Sequence, residues 1–238
     1  MNATTITPYG TDEGKKAQVR KMFDAISGRY DLLNRLLSLG VDVWWRRRAV
    51  AELRNIAPKN ILDVATGTGD FALEALRLKP EKVIGIDISE GMLAIGRKKT
   101  AGKPIEMLTG DSESLPFADG VFDALTVGFG VRNFENLERG LSEMARVLRP
   151  GGMAVVLEPS APTVFPLKQL FHVYFHVVLP RIGKLVSRDD AAYTYLPQSV
   201  RAFPNGQDFL EICRRSGFAS GVYRPLTFGI CSMYVLNK

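Results

Sequence analysis

Apolar residues recur along this chain with two different periods, and the change between them divides it. Over 13–57 the spacing is helical: Val19, Met22, Phe23 and Ile26 share one face, and 32–39 repeats the pattern. Gly40 predicts the close of one helix, Asp42 a cap for the next, and Pro58 a stop. From Asn60 onward, short β-branched or apolar runs alternate with helical stretches. Segments 61–65, 82–86, 105–108, 122–127 and 153–157 read as strands, and 69–78, 90–99 and 137–148 as the helices between them. That alternation predicts an α/β fold, a mostly parallel twisted sheet with helices on both faces. Residues 165–215 leave the alternation and read as helical, broken at Pro180, Pro197 and Pro204. Residues 220–238 read as two final strands around Thr227-Phe228-Gly229. The expected organisation is one domain. A helical extension (15–57) precedes a ligand-binding core (60–158), a helical insertion (163–215) sits where a substrate lid belongs, and the terminal strands (220–238) follow.

Composition narrows the class further. With 46% hydrophobic and 24% charged residues, the chain can bury a core and shows no sign of disorder. The net charge of +6 is concentrated at the start, where residues 1–59 hold eleven Lys/Arg against six Asp/Glu. Such a head suits an anionic membrane surface or an acidic partner, and amphipathic helices with solvated basic faces give the same pattern. Trp44-Trp45-Arg46-Arg47-Arg48 reads as such a face; no nucleic-acid module accompanies it, so no nucleic-acid partner is expected. Cys213 and Cys231 have no ligand spacing. His172 and His176 lie four apart but lack the Glu of H-E-x-x-H and a third ligand, so no metal is expected. The N-terminus shows no basic stretch followed by an apolar one. No apolar run nears the roughly 20 residues of a spanning helix, and the cytoplasm is the expected location.

The most specific local pattern is Asp63-Val64-Ala65-Thr66-Gly67-Thr68-Gly69-Asp70, at a strand end and opening a helix. Glycines there let the backbone turn tightly and approach a ligand at a helix N-terminus. Gly67, Gly69 and Ala72 also satisfy G-x-G-x-x-[GA], as a dinucleotide site would. Asp87 ends the next strand, where a carboxylate suits ribose hydroxyls in either ligand class. Asp111, followed by Ser112, comes after the third strand and is placed for an adenine amine. Asp63, four residues before the first glycine, is placed to hold a cofactor's amino-acid end through its neighbours. Asp111 with Leu115-Pro116-Phe117 forms an element that a nicotinamide site does not require, and Arg149-Pro150-Gly151-Gly152 closes a helix before the fifth strand. In this order the elements resemble the class I methyltransferases, which implies a Rossmann-like domain with S-adenosylmethionine as cofactor.

Motifs outside that core carry a narrower resemblance. They are Met22-Phe23-Asp24, Arg29-Tyr30-Asp31, Asn34-Arg35 and Ser38-Leu39-Gly40 with Trp45-Arg46; then Phe129-Gly130-Val131-Arg132-Asn133; then Tyr195-Leu196-Pro197 with Phe203-Pro204; and Leu226-Thr227-Phe228-Gly229-Ile230. Together they are similar to the ubiquinone/menaquinone C-methyltransferase family over nearly the whole chain from about residue 15. The resemblance implies methyl transfer to a ring carbon of a prenylated hydroquinone, demethylmenaquinol first and a ubiquinone precursor as the alternative. The family's cofactor contacts fall on Thr68, Asp87, Asp111 and Ser112. A further contact falls on Gly128, where some members carry Ser, leaving only a backbone contact. Arg132, just after the fourth strand, is the first candidate to stabilise the ring oxygen, although a salt-bridged or capping arginine would read the same way. Tyr30 and Tyr195 are further candidates, as hydrogen-bond partners or ring walls, or else as core. The expected meeting point for the prenyl tail is the helix over 165–186, with Leu167, Leu170, Phe171, Tyr174, Val177 and Val178 on one side and Lys184 and Arg188 for lipid head groups. Two rivals remain: another small-molecule C-methyltransferase, and a silent cofactor-binding partner in a quinone-biosynthesis complex. The intact loop acids argue against silence.

Overall fold

The computed structural model describes residues 6–162, 164–166, 168–169, 171 and 191–238. Seven strands form one sheet: β1 (Asn60–Val64), β2 (Lys82–Asp87), β3 (Ile105–Thr109), β4 (Phe122–Gly128), β5 (Leu148–Pro159), β6 (Ser220–Leu226) and β7 (Cys231–Asn237). Their order is β3-β2-β1-β4-β5-β7-β6, with only β7 antiparallel to its neighbours. This is the expected Rossmann-like α/β architecture. Successive residues point to opposite faces of a strand, so the central apolar runs feed two cores. Leu62, Val64, Leu125, Val127 and Val156 meet Leu141 and Met144 of α6 (Leu137–Val147) on one face. Ile61, Ala124, Val155 and Leu157 meet Phe71, Ala72 and Ala75 of α4 (Asp70–Ala75) on the other. Trp45, Ala49 and Val50 of α3 (Val41–Glu52) join that second core. The third N-terminal helix is therefore part of the sheet's cover, while α1 (Lys15–Ile26) and α2 (Tyr30–Leu37) lie beyond it.

Side chains cap the starts of two of the remaining helices. Ser89 Oγ accepts from Met92 N (3.2 Å) at the start of α5 (Glu90–Thr100), and Asn136 Oδ1 accepts from Arg139 N (3.0 Å) at the start of α6. β5 begins earlier than expected. The turn read at 149–152 is itself drawn into the sheet edge, Gly151 N donating to Lys238 O (3.0 Å) and Lys238 N to Gly152 O (3.1 Å).

Four local expectations are corrected. Asp42 does not cap α3, which starts after Gly40 in a left-handed conformation (φ 78°). Its carboxylate is buried in the first turn, accepting from Arg46 and from Ser38 Oγ (2.8 Å). Arg46, read as solvated, is consequently buried with it. Pro58 does not stop α3 either; the helix ends at Glu52, and a 3-10 turn (Arg54–Ile56) and Ala57 at φ 41° intervene. Pro197 does not break its helix: α7 (Ala191–Ala202) runs through it, giving up one backbone bond. Burial of Tyr195 and Ser199 on either side offsets that loss. Pro204 does fall between α7 and α8 (Gln207–Arg215). His172, His176, Pro180, Lys184 and Arg188 lie outside the described residues.

Candidate active site

The chain leaves β1 for β2 and β3 on one side and returns to β4 on the other. In open α/β sheets a crevice forms at that reversal, beyond the carboxyl ends of the strands. Here it is an open cleft walled by the loops that follow β1, β2, β3 and β4. Gly67 enters it after β1, Asp87 after β2, Asp111 and Ser112 after β3, and Gly128 to Gly130 after β4. Lys16, Val19 and Phe23 of α1 and Tyr30 of α2 close it from above.

The glycine loop is tied to the second strand. Gly67, at φ 56°, donates its N–H to Asp87 Oδ2 (2.8 Å), and Ser89 N donates to Asp87 Oδ1 (2.9 Å). Burial holds the Asp87 carboxyl above its usual range despite those donors. Gly69, at φ 82°, opens α4; a Cβ there would press on Met107 Cε at 3.3 Å. Asp63 is wholly buried beneath the loop and outside the cleft wall. It accepts from Thr66 Oγ1 (2.5 Å), Ala72 N (3.1 Å) and Thr126 Oγ1 (2.6 Å), and burial pushes its pKa up to about 6. Thr68 is also turned away, its hydroxyl donating to Asp31 Oδ1 (2.5 Å) and accepting from Lys99 Nζ (3.1 Å). At Gly128 a Cβ would lie 2.9 Å from Phe71 Cδ1. The Phe71 ring thus occupies the place of a side chain, and the position offers backbone only. Asp111 accepts from Lys16 Nζ (2.7 Å) and Glu113 N (2.9 Å). Glu113 accepts from Lys16 Nζ (3.2 Å) and from Glu135 N (2.7 Å), so α1 is pinned across the cleft by two acids.

Residues 11–238 match the ubiE/COQ5 methyltransferase family. The chain belongs to that family. The demethylmenaquinone methyltransferase of Bacteroides fragilis is 50% identical over 238 residues, covering 98% of this chain and 97% of that protein. That of Deinococcus radiodurans is 47% identical over all of both chains. A ubiquinone/menaquinone biosynthesis C-methyltransferase of Geobacter sulfurreducens is 48% identical, over 98% of this chain and 93% of that one. Among solved structures, a SAM-dependent methyltransferase from Thermotoga maritima superposes with a TM-score of 0.59 at 18% identity, over 92% of this chain and 99% of that one. The Haemonchus contortus phosphoethanolamine N-methyltransferase 2, solved with S-adenosyl-L-methionine, gives 0.56 at 16% identity, over 80% and 52%. These two likenesses show the fold.

Within this ubiE/COQ5-family methyltransferase, the residues expected at the acceptor side are distributed over two layers. Tyr30 lines the cleft, edge-on to Phe23 (centroids 5.9 Å, 79°), and burial raises its pKa. Arg132 stands behind the wall in the turn Val131–Asn133, nine-tenths buried. Its Nη1 donates to Glu158 Oε2 (3.1 Å) and to the Phe129 carbonyl, while its Nε has no partner among the described residues. Glu158 is wholly buried and also accepts from Arg132 N (3.4 Å); burial raises its pKa, and Arg132 opposes the rise. Tyr195 is buried behind Asn133, donating to Asn133 Oδ1 (3.1 Å), with its pKa pushed up to about 12 by burial. Gly67, Asp87, Asp111, Ser112, Gly128 and Tyr30 therefore meet in one cleft. Asp63, Thr68, Gly69, Arg132 and Tyr195 support it from outside the wall.

Lys16, Glu113, Asn133 and Glu158 were not expected. Glu158 carries a signal, a single acid closing the apolar run Val155-Val156-Leu157, and Asn133 lies inside a quoted motif. Lys16 and Glu113 carry none, since their contact joins residues 97 apart. The wall can hold an adenosyl nucleoside. Asp87 offers a carboxylate for a diol, Asp111 and Ser112 offer acceptors for an amine, Ile88 and Met92 offer apolar surface, and Gly67 and Gly128 offer close backbone.

Proposed function

We propose that this chain carries a methyl group from S-adenosylmethionine to a ring carbon of demethylmenaquinol, giving menaquinol. The observation that carries the reading is identity of 47–50% over essentially full length with proteins named for that activity. The cleft supports it chemically, because its donors and acceptors match the parts of the cofactor. Asp87 binds the ribose diol, Asp111 and Ser112 the adenine edge, and Gly67 and Gly128 the amino-acid end through backbone. Asp63 and Thr68 act through the loop they hold.

When bound, the cofactor supplies an electrophilic methyl group on a sulfonium. The acceptor carbon lies beside a ring hydroxyl, and ionising that hydroxyl pushes electron density onto the carbon. Phenols titrate near ~10, so a cation close to the ring oxygen favours the reactive form. Arg132 is the buried cation beside the wall, with Nη1 fixed by Glu158 and Nε left for an acceptor. Tyr195, titrating at about 12, stays protonated and holds Asn133 in place. Tyr30 stays protonated too and forms a wall with Phe23. Methyl transfer neutralises charge, which an apolar, closed site favours, and fixed geometry supplies much of the rest. The proton on the methylated carbon then leaves and the ring oxygen takes one up from water, restoring the hydroquinone, so that the net proton released is the one lost when the hydroxyl ionised. Among the described residues no helix is long and apolar enough to cross a membrane. The proposed setting follows from the acceptor, whose prenyl tail resides in a bilayer: the enzyme works from the cytoplasm, in peripheral contact with it.

The test is incubation with methyl-labelled cofactor and chemically reduced demethylmenaquinone, then extraction and detection of labelled lipid. A reduced ubiquinone precursor is run in parallel. Oxidised quinone should give no product, since it has no ionisable hydroxyl. Label in neither lipid would overturn the reading, and label in the ubiquinone precursor alone would move it to that ring.

A further inference from the structure

The N-terminal helices carry apolar residues on two faces, and the fold uses one. Leu33, Trp45, Ala49 and Val50 are buried inward. On the outer face of α2, Leu32, Arg35 and Leu36 follow at helical spacing, Leu39 stands in the turn after it, and on α3 Trp44, Arg47 and Arg48 repeat the spacing. Leu32 is 61% exposed and Leu39 83%, with Leu36 and Trp44 about half exposed. Phe228, 76% exposed, flanks α3, because Trp45 Nε1 donates to the hydroxyl of the preceding Thr227 at 2.7 Å. Thr227 and Phe228 both adopt left-handed backbone (φ 47° and 57°), which bulky and β-branched residues avoid. A strained turn thus holds a phenyl ring in solvent. Scattered exposed leucines need no explanation, but exposed apolar residues repeated on two successive helices and a neighbouring turn do.

The charges of this hairpin are sorted by side. Its acids turn inward: Asp31 to Lys99 (2.8 Å), Asp42 to Arg46, and Glu52 to Arg224 (2.5 Å). Its outward cations, Arg35, Arg47 and Arg48, are each more than half exposed and reach their nearest carboxylates only at 4.0, 3.7 and 3.9 Å. Among the described residues, the outer surface of the hairpin is therefore apolar and basic, its acids being engaged by Lys99, Arg46 and Arg224. It also borders the cleft mouth, since Tyr30 begins α2 and Trp45 packs edge-on against Phe129 of the wall (6.1 Å).

We propose that the outer face of α2 and α3, with Phe228, docks this enzyme on an anionic lipid bilayer. The leucines, Trp44 and Phe228 enter the acyl boundary, and Arg35, Arg47 and Arg48 meet head-group phosphates. A second copy of the chain is the poorer occupant, because a self-complementary contact would set three cations against the same three. The inference draws on the proposed acceptor only in that a prenyl tail resides in a bilayer. Docking is measured without turnover, so the two can fail separately.

The experiment is co-sedimentation of the full chain with vesicles of phosphatidylcholine, with and without phosphatidylglycerol. Binding should require the anionic lipid and weaken with salt. Leu36→Asp with Leu39→Asp, and separately Arg35→Glu with Arg47→Glu and Arg48→Glu, should each lower partitioning at least about tenfold with cofactor affinity unchanged. Phe228→Ser, on an exposed turn with no burial to lose, should lower it severalfold and serves if the leucine pair unfolds. Equal binding to neutral vesicles, or unchanged partitioning in both Phe228→Ser and the arginine variant, would overturn the proposal. So would a dimer in sedimentation velocity that these variants dissociate, which would assign the face to a second copy.

Discussion

Asp87 accepts one backbone N–H on each carboxylate oxygen, from Gly67 and Ser89, and its remaining lone pairs face the cleft. If those lone pairs take the ribose hydroxyls, Asp87→Ala leaves them unpaired in a half-buried site. Charge-assisted bonds of this kind are worth about 1.5–3 kcal/mol. Calorimetry should show the affinity for S-adenosylmethionine and for its demethylated product falling at least about tenfold, and unchanged affinity for both would remove Asp87 from the site. Arg132 poses a different problem, because it both faces Glu158 and is assigned to the ring oxygen. Arg132→Gln alone strands a buried carboxylate, which costs roughly 3–5 kcal/mol in such pairs, so lost activity would be ambiguous. Pairing Arg132→Gln with Glu158→Gln leaves two neutral amides that can bond each other. The double variant should recover most of the stability in urea unfolding, yet turn over about 10²-fold more slowly at saturating cofactor. Turnover recovering along with stability would show that Arg132 serves the fold alone.

Elements were legible where one residue's place in the chain decides its role. Central strands enclosed on both faces are apolar over most of their length, so β1, β2, β4 and the middle of β5 announce themselves. The acids Asp87 and Asp111 were legible for the same local reason, since Asp87 ends β2 and Asp111 follows the end of β3. What the sequence could not show is decided across the chain. Thr68 sits in the glycine loop as expected, but Asp31, 37 residues earlier, captures its hydroxyl. Lys16 crosses the cleft to Asp111, 95 residues away. Asp63 belongs to this class. Expected from the sequence to serve the cofactor through its neighbours, it stitches β1, the loop, α4 and β4 together through Thr66, Ala72 and Thr126. Its pKa of about 6 makes that joint pH-dependent. An unfolded aspartate titrates near ~3.9, so between about 4 and 6 the folded chain keeps a proton that the unfolded chain releases. Its contribution to stability is full below about 4, falls as pH rises to about 6, and is level above. The fall from this group is about 3 kcal/mol. Asp63→Asn cannot titrate, and its urea midpoint should drift less with pH across that window. Parallel profiles for the two proteins would show that Asp63 ionises as an ordinary carboxyl.

Across the whole molecule, the N-terminal helices and the cofactor loop share one polar network. Lys99 of α5 reaches Asp31 of α2 (2.8 Å), Asp70 at the start of α4 (2.5 Å) and the Thr68 hydroxyl (3.1 Å). Asp70 also faces Arg46 of α3 at 3.4 Å, and Arg46 holds Asp42. A ligand that orders the glycine loop should therefore order the hairpin that borders the cleft mouth. Lys99→Met removes the shared cation and leaves Asp31 and Asp70 without it. These groups are partly exposed, so the stability lost should be modest, about 1 kcal/mol or less. The coupling should suffer more than the stability. With S-adenosylmethionine at about 100 times its Kd, binding stabilises the folded chain by about 2.7 kcal/mol in either protein. Hydrogen exchange should then slow in both the loop and α2 of the wild type. In Lys99→Met the loop amides should still slow, while α2 should exchange as it does without ligand. If α2 gains the same protection in the variant, the cap closes by contact with the ligand itself, through Tyr30 and α1, and the network is only a fastening.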